Sequence, residues 1–146
     1  IQSLVFTAAI SLLPFTAIAQ SSDHEAVDAV MKKFMSAYIT ADNTLATEVF
    51  RKDGVMIGYS VARGSELLTR TGEQFAEGFN GKPAADEAKR KRSYEIVDMA
   101  ENLAAVRVML EYPGWRGVHY VVLLKVDGKW MIMSKSWTGT LTQKPA

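Results

Sequence analysis

The chain has 146 residues, 48% of them hydrophobic and 23% charged, with no cysteine and a formal net charge of +1. That length suits one domain, and the charged share is that of a globular rather than a disordered protein. Near-neutrality gives no general attraction to nucleic acid or an anionic membrane surface, and the missing cysteines exclude a disulfide scaffold, a cysteine metal cluster, a thiol nucleophile and cysteine-linked lipid.

Every acidic and basic residue lies after Ser22. The uncharged leader runs apolar from Leu4 to Phe15, then reaches Ala17-Ile18-Ala19 ahead of Gln20. Small residues three and one before a polar residue form a signal-peptidase pattern. Residues 1–19 therefore read as a signal peptide truncated at its start and cleaved after Ala19, with residues 20–146 as a single mature domain in the periplasm or outside the cell. A membrane anchor or a buried first helix are the competing readings; Pro14 and the polar Gln20-Ser21-Ser22 disfavour the anchor.

Ser22-Asp23-His24-Glu25 has the form of a capping box. Val27, Val30, Met31, Phe34 and Tyr38 follow at the spacing of one buried helical stripe. Asp42-Asn43 supplies the next N-cap, and a short helix through Leu45, Val49 and Phe50 ends near Asp53-Gly54. Val55 to Tyr59 alternates as a strand, Ala62-Arg63-Gly64 turns, and Ser65 to Arg70 returns. Thr71-Gly72-Glu73-Gln74 is a second capping box, opening a short helix that buries Phe75 and Phe79. Asn80 to Ala88 is a linker. Four strands complete the chain: Ser93–Met99, Leu103–Tyr112, Gly117–Val126 and Lys129–Thr138, the last two joined by the hairpin signal Asp127-Gly128.

Helices followed by long antiparallel strands make an α+β domain with N-terminal helices covering one face of a curved sheet. A two-residue loop at Asp127-Gly128 pairs Val126 with Lys129. Continued without interruption, that register puts Trp130, Ile132, Ser134 and Ser136 on one face with Lys125, Leu123, Val121 and His119. Met131, Met133, Lys135 and Trp137 fall on the other face with Leu124, Val122, Tyr120 and Val118. Both faces are largely apolar, so the second calls for its own cover, most simply a second copy of the chain: a homodimer through the sheet.

This pattern resembles the nuclear-transport-factor-2-like superfamily, and within it the group described as putative lumazine-binding proteins. The carrying residues are the first-helix stripe to Tyr38, Asn43-Thr44-Leu45 leading to Val49-Phe50 and Asp53-Gly54, the TRTGEQF run around Thr71 to Phe75, and the tail HYVVLLKVDGKWMIMSKSW from His119 to Trp137. His119 stands where the group typically has an acidic residue, a departure that bears on any function of that carboxylate. The resemblance implies a cone-shaped fold with a pocket at one end and frequent homodimers; it implies no reaction.

His119, Ser134 and Ser136 form the polar end of the apolar Trp130 face, as a small-molecule pocket requires. Tyr38 and Tyr59 are placed to add hydroxyls, or to be core aromatics whose polar ends reach water. His119 suits a general acid or base, or a hydrogen-bonded histidine at the sheet edge. On the other face Arg107, Glu111, Tyr120, Lys135 and Trp137 gather, either as paired charges in a dimer interface or, through Lys135 and Arg107, as a grip on an anionic ligand. A β-bulge would exchange the two faces, and bulges are frequent near sites.

The basic run Lys89-Arg90-Lys91-Arg92 lacks interleaved aromatics and reads as a solvated strand end rather than a nucleic-acid surface. Two histidines, His24 and His119, offer no metal-ligand spacing, no glycine-rich phosphate loop follows a strand, and no cofactor is implied. The expectation is an exported small-molecule-binding domain. The alternative is an isomerase, dehydratase or cyclase that uses His119 for proton transfer while Tyr38 or Tyr59 polarises a carbonyl. A third class is an interaction module acting through the dimer face.

Overall fold

Residues 15–60 and 64–142 are described in the computed structural model of the chain, apart from the side chains of residues 15–21 and 60. The elements run α1 (Phe15–Thr40), α2 (Asn43–Val49), β1 (Phe50–Ser60), β2 (Glu66–Thr71), α3 (Gly72–Ala76), a single 3-10 turn at Glu87–Lys89, β3 (Lys91–Ala100), β4 (Leu103–Tyr112), β5 (Trp115–Val126) and β6 (Lys129–Leu141). The apolar leader ahead of Phe15 lies outside the described residues.

Along α1 the expected stripe is buried: Val27, Met31, Phe34 and Ala37 are out of water, with Val30 and Tyr38 packed against them. The helix passes straight through Ser22–Glu25 from Phe15, so the capping box there does not open it. Ala17, Ala19 and Gln20 are themselves good helix formers and carry the turn upstream. The later boundaries follow their caps. Asp42 accepts from the amides of Thr44 and Leu45 at 2.7 and 3.2 Å, and Thr71 with Gln74 makes the reciprocal capping box of α3.

The strands form one curved, open sheet in the order β2-β1-β6-β5-β4-β3, antiparallel throughout except for the parallel pair β1–β6. Asp127 and Gly128 take φ of 51° and 77°, the two left-handed residues of a type I′ turn, and the hairpin keeps its expected register from Val126–Lys129 to Leu123–Ile132. There it changes. Val122 pairs with Ser134, leaving Met133 as an extra residue in β6. Because side chains alternate with a period of two, this bulge exchanges the faces for the rest of the strand. Lys135 and Trp137 turn onto the face of His119, and Ser134 and Ser136 leave it. The bulge abuts β1, where a Cβ on Gly54 would stand 2.7 Å from the Met133 carbonyl oxygen; only glycine admits that approach.

On the inner face Met56, Val106, Val108, Val121, Leu123 and Ile132 are sealed beneath α1 and α2. The outer face leaves Val55, Ile57, Tyr59, Leu67, Leu103 and Tyr120 exposed. Polar ties lock helices to sheet: Asp23 accepts from Lys125 Nζ at 2.7 Å and Trp130 Nε1 at 3.1 Å, and Tyr94 Oη donates to Asp28 Oδ1 at 2.6 Å. Asn43 donates to the Ala76 carbonyl at 2.7 Å, fixing α3 against α2.

Phe34 joins α1 to β1, its ring 4.9 Å from Phe50 and 4.8 Å from Tyr38. Truncation to alanine is expected to cost about 3–5 kcal/mol, the range for a buried phenylalanine that leaves a cavity. Urea denaturation should show a lower midpoint with an unchanged slope.

Candidate functional site

Between α1, α3 and the inner face of the sheet lies a cavity of about 310 Å³. Its walls are Tyr38 of α1, Leu68 and Arg70 of β2, Phe75 of α3, Leu110 and Tyr112 of β4, Trp115 and His119 of β5, and Lys135 and Trp137 of β6. The two tryptophans lie flat on glycine. A Cβ on Gly58 would fall 1.8 Å from Trp137 Cε2, and one on Gly117 or Gly139, which pair across β5 and β6, would fall 2.1 Å from the Trp115 ring. Sheet positions without side chains thus give the rings room to lie along the cavity floor rather than stand up and fill it.

Lys135 is 1% exposed. Its Nζ sits 3.8 Å from the centroid of Phe75 and 4.2 Å from that of Trp137, and donates to Tyr38 Oη at 3.5 Å. Among the described residues no carboxylate lines the cavity. Loss of hydration pushes the amine well below the ordinary lysine range, and the Arg70 charge acts in the same direction. The ring faces favour the ammonium by about 0.5–2 kcal/mol. Loss of hydration acts the other way and sets the net direction.

His119 is buried beside Lys135, with ring centroids 6.4 Å from Tyr38 and 6.3 Å from Trp137. Its Nδ1 has no partner among the described residues. Burial first, and the Lys135 charge second, hold the imidazole neutral well below its usual range. The Tyr38 hydroxyl is likewise kept protonated by burial. Tyr112 Oη accepts from Arg92 Nε at 2.9 Å, while the Arg92 guanidinium grips both oxygens of Glu87 and faces the Tyr38 ring from 5.5 Å.

The structure brings Tyr38, His119, Lys135 and Trp137 together. Ser134 is half-buried and Ser136 exposed on the opposite face, and Tyr59 points outward from β1. Arg107 pairs with Tyr120 and Glu111 with Arg116 across β4 and β5, also on the outer face. The expected grouping of Lys135 and Trp137 with these residues is thereby corrected, since the Met133 bulge turns both inward. The basic run divides: Lys89 and Lys91 are solvated, but Arg90 stacks on Tyr112 at 4.3 Å and Arg92 is almost wholly enclosed. Sequence reasoning missed Arg70, Tyr112 and Trp115 as wall residues. The paired glycines 117 and 139 were the available signal, because they meet only if β6 carries one extra residue.

Among the described residues no three acidic or histidine side chains converge to hold a metal ion, and no helix is long and apolar enough to cross a membrane.

An end cavity between three helices and an open, curved six-stranded sheet places the molecule in the NTF2-like fold. An NTF2-like protein of unknown function from Silicibacter pomeroyi is similar at 19% identity and a TM-score of 0.69, over 81% of this chain and 96% of its own. One from Methylobacillus flagellatus shares 24% identity with a TM-score of 0.66, over 82% and 93%. A putative scytalone dehydratase from Novosphingobium aromaticivorans shares 16% with a TM-score of 0.61, over 90% and 93%. No curated protein matches the chain. The chain belongs to the family described as putative lumazine-binding, whose profile matches residues 22–138.

The neutral imidazole has a consequence for stability. Below an unfolded pKa near 6.5 the unfolded chain binds a proton at His119 that the native chain refuses, so stability falls as pH drops through that window and is restored above it. The slope can reach about 1.4 kcal/mol per pH unit. Carboxylates such as Asp23 and Asp28, held low by their partners, titrate below this range and leave it clear. Urea denaturation at pH 5.5 and 7.5 should show the difference in the native chain and its loss in His119→Leu. Lys135→Met is expected to raise stability by about 1–2 kcal/mol, as removal of a strained functional group commonly does.

Proposed function

We propose that the protein is an exported, dimeric domain that binds a small, flat, acceptor-rich molecule in the cavity walled by Tyr38, His119, Lys135 and Trp137. One observation carries this reading: among the described residues the cavity presents Lys135, Arg70, His119 and the tyrosine hydroxyls but no carboxylate. A ligand with carbonyl, aza or carboxylate acceptors would supply what the site lacks, while the Phe75, Trp115 and Trp137 rings suit a planar body. Lumazine, the molecule in the family's description, is a planar bicycle with two ring carbonyls and fits that chemistry. Fluorescence titration of the native chain with lumazine tests it. Lys135→Met should weaken binding at least tenfold, about 1.4 kcal/mol, whereas Ser136→Ala should leave it unchanged; equal affinity in all three proteins removes the site from this face of the sheet.

A second reading, an isomerase, dehydratase or cyclase using His119 as general acid and base, draws support from its place on the cavity wall and from an Nδ1 without a partner among the described residues. His119→Ala that leaves turnover of a matched substrate intact would end it.

Dimerisation through the outer face is supported by its exposed Val55, Ile57, Tyr59 and Tyr120. Tyr120→Glu should shift sedimentation from dimer to monomer; a native chain that sediments only as monomer at high micromolar concentration overturns the dimer. Export predicts that protein recovered from outside the cytoplasm begins at Gln20, which intact-mass measurement reads directly.

A further inference from the structure

The unused chemistry of this cavity is nucleophilic. Among the described residues Lys135 has its amine sealed from bulk water, without an acidic partner, on a cavity wall. Its only polar neighbour at hydrogen-bond distance is the Tyr38 hydroxyl, 3.5 Å away, and the faces of Phe75 and Trp137 bracket it at 3.8 and 4.2 Å. A carboxylate would lock such an amine as ammonium. None stands there. The charged and titratable groups that share the cavity wall are Arg70, His119, Tyr38 and Tyr112, of which Arg70 can only repel a proton from Lys135.

We propose that Lys135 forms a reversible imine with a small aromatic aldehyde or ketone carrying an anionic group, the carbonyl carbon reaching Nζ and the anion lying toward Arg70. This rests on the ligand pocket argued above and names the class of ligand it takes. The amine lone pair makes the C–N bond to the carbonyl carbon. Both amine protons pass to the carbonyl oxygen, with the Tyr38 hydroxyl placed to relay them, and that oxygen leaves as water. The C=N bond remains, and no oxidant or reductant takes part. A lysine made nucleophilic by desolvation and by a neighbouring cation is the general requirement for this chemistry. The aromatic bracket adds a feature of its own. Once the imine takes up a proton, its positive charge lies between two ring faces that favour a cation.

The test uses 4-carboxybenzaldehyde with cyanoborohydride at neutral pH on the full chain, followed by peptide mapping. Exposed lysines are protonated there and react slowly, so the expected result is one reduced adduct, at Lys135, suppressed by lumazine and absent in Lys135→Arg, which keeps a cation but cannot form the imine. Labelling spread over surface lysines with Lys135 untouched overturns the proposal. So does a chain that binds lumazine yet leaves Lys135 unmodified by the aldehyde, an outcome in which the pocket reading stands and the imine alone falls. If neither lumazine nor 4-carboxybenzaldehyde engages the cavity, both readings fall together. The wild-type map decides the matter even if the arginine variant does not fold.

Discussion

An amine removed from water without a counter-ion is the constraint around which the inner end of this molecule is arranged. Burying a charged group unpaired is among the most expensive things a fold can do, and the ordinary remedies are an acid beside it or loss of the proton. Here loss of hydration pushes the amine toward the second. The amine is accommodated by one phenol and two ring faces, surroundings that tolerate either protonation state without fixing one. Everything in the vicinity follows from keeping that group enclosed yet reachable: α1 contributes Tyr38, α3 contributes Phe75, and β6 contributes the lysine together with the tryptophan that covers it.

The enclosure stays hollow because the rings recline. Trp137 over Gly58 and Trp115 over the Gly117–Gly139 pair occupy thickness that side chains would otherwise take. The Tyr112 wall is itself braced, with Arg90 and Arg92 stacked on its ring and Arg92 paired with Glu87. Aromatic walls braced from behind are features of a site shaped before its ligand arrives, which lowers the ordering cost of binding.

The helical stripe of α1, the caps at Asp42 and Thr71, and the Asp127-Gly128 turn were all legible in the residues, because each depends on neighbours a few positions away. So was the superfamily, through the order of elements and the His119–Trp137 tail. The site was only half legible. Tyr38 and His119 do line the cavity, but Lys135 and Trp137 line it where Ser134 and Ser136 were expected. Local pattern could not decide this, since MIMSKSW alternates acceptably in either phase; the phase is set by the neighbouring strand, where Gly54 presses on the Met133 carbonyl. Arg70 and Trp115 escaped notice for a related reason. They reach the cavity from an edge strand and from just beyond a tight turn, and only the curvature of the sheet brings them inward.

The extra residue in β6 also acts as a one-step chemical selector. Were Met133 to pair with Val122 instead of bulging, with every residue kept, the lysine would turn outward and two serines inward, with upstream pairing from Val126–Lys129 to Leu123–Ile132 left as it is. A donor-rich, nitrogenous chamber would become a hydroxyl-lined one without a substitution anywhere. On such a scaffold, a one-residue shift of strand pairing can change the ligand chemistry of the chamber more than a point change in its wall.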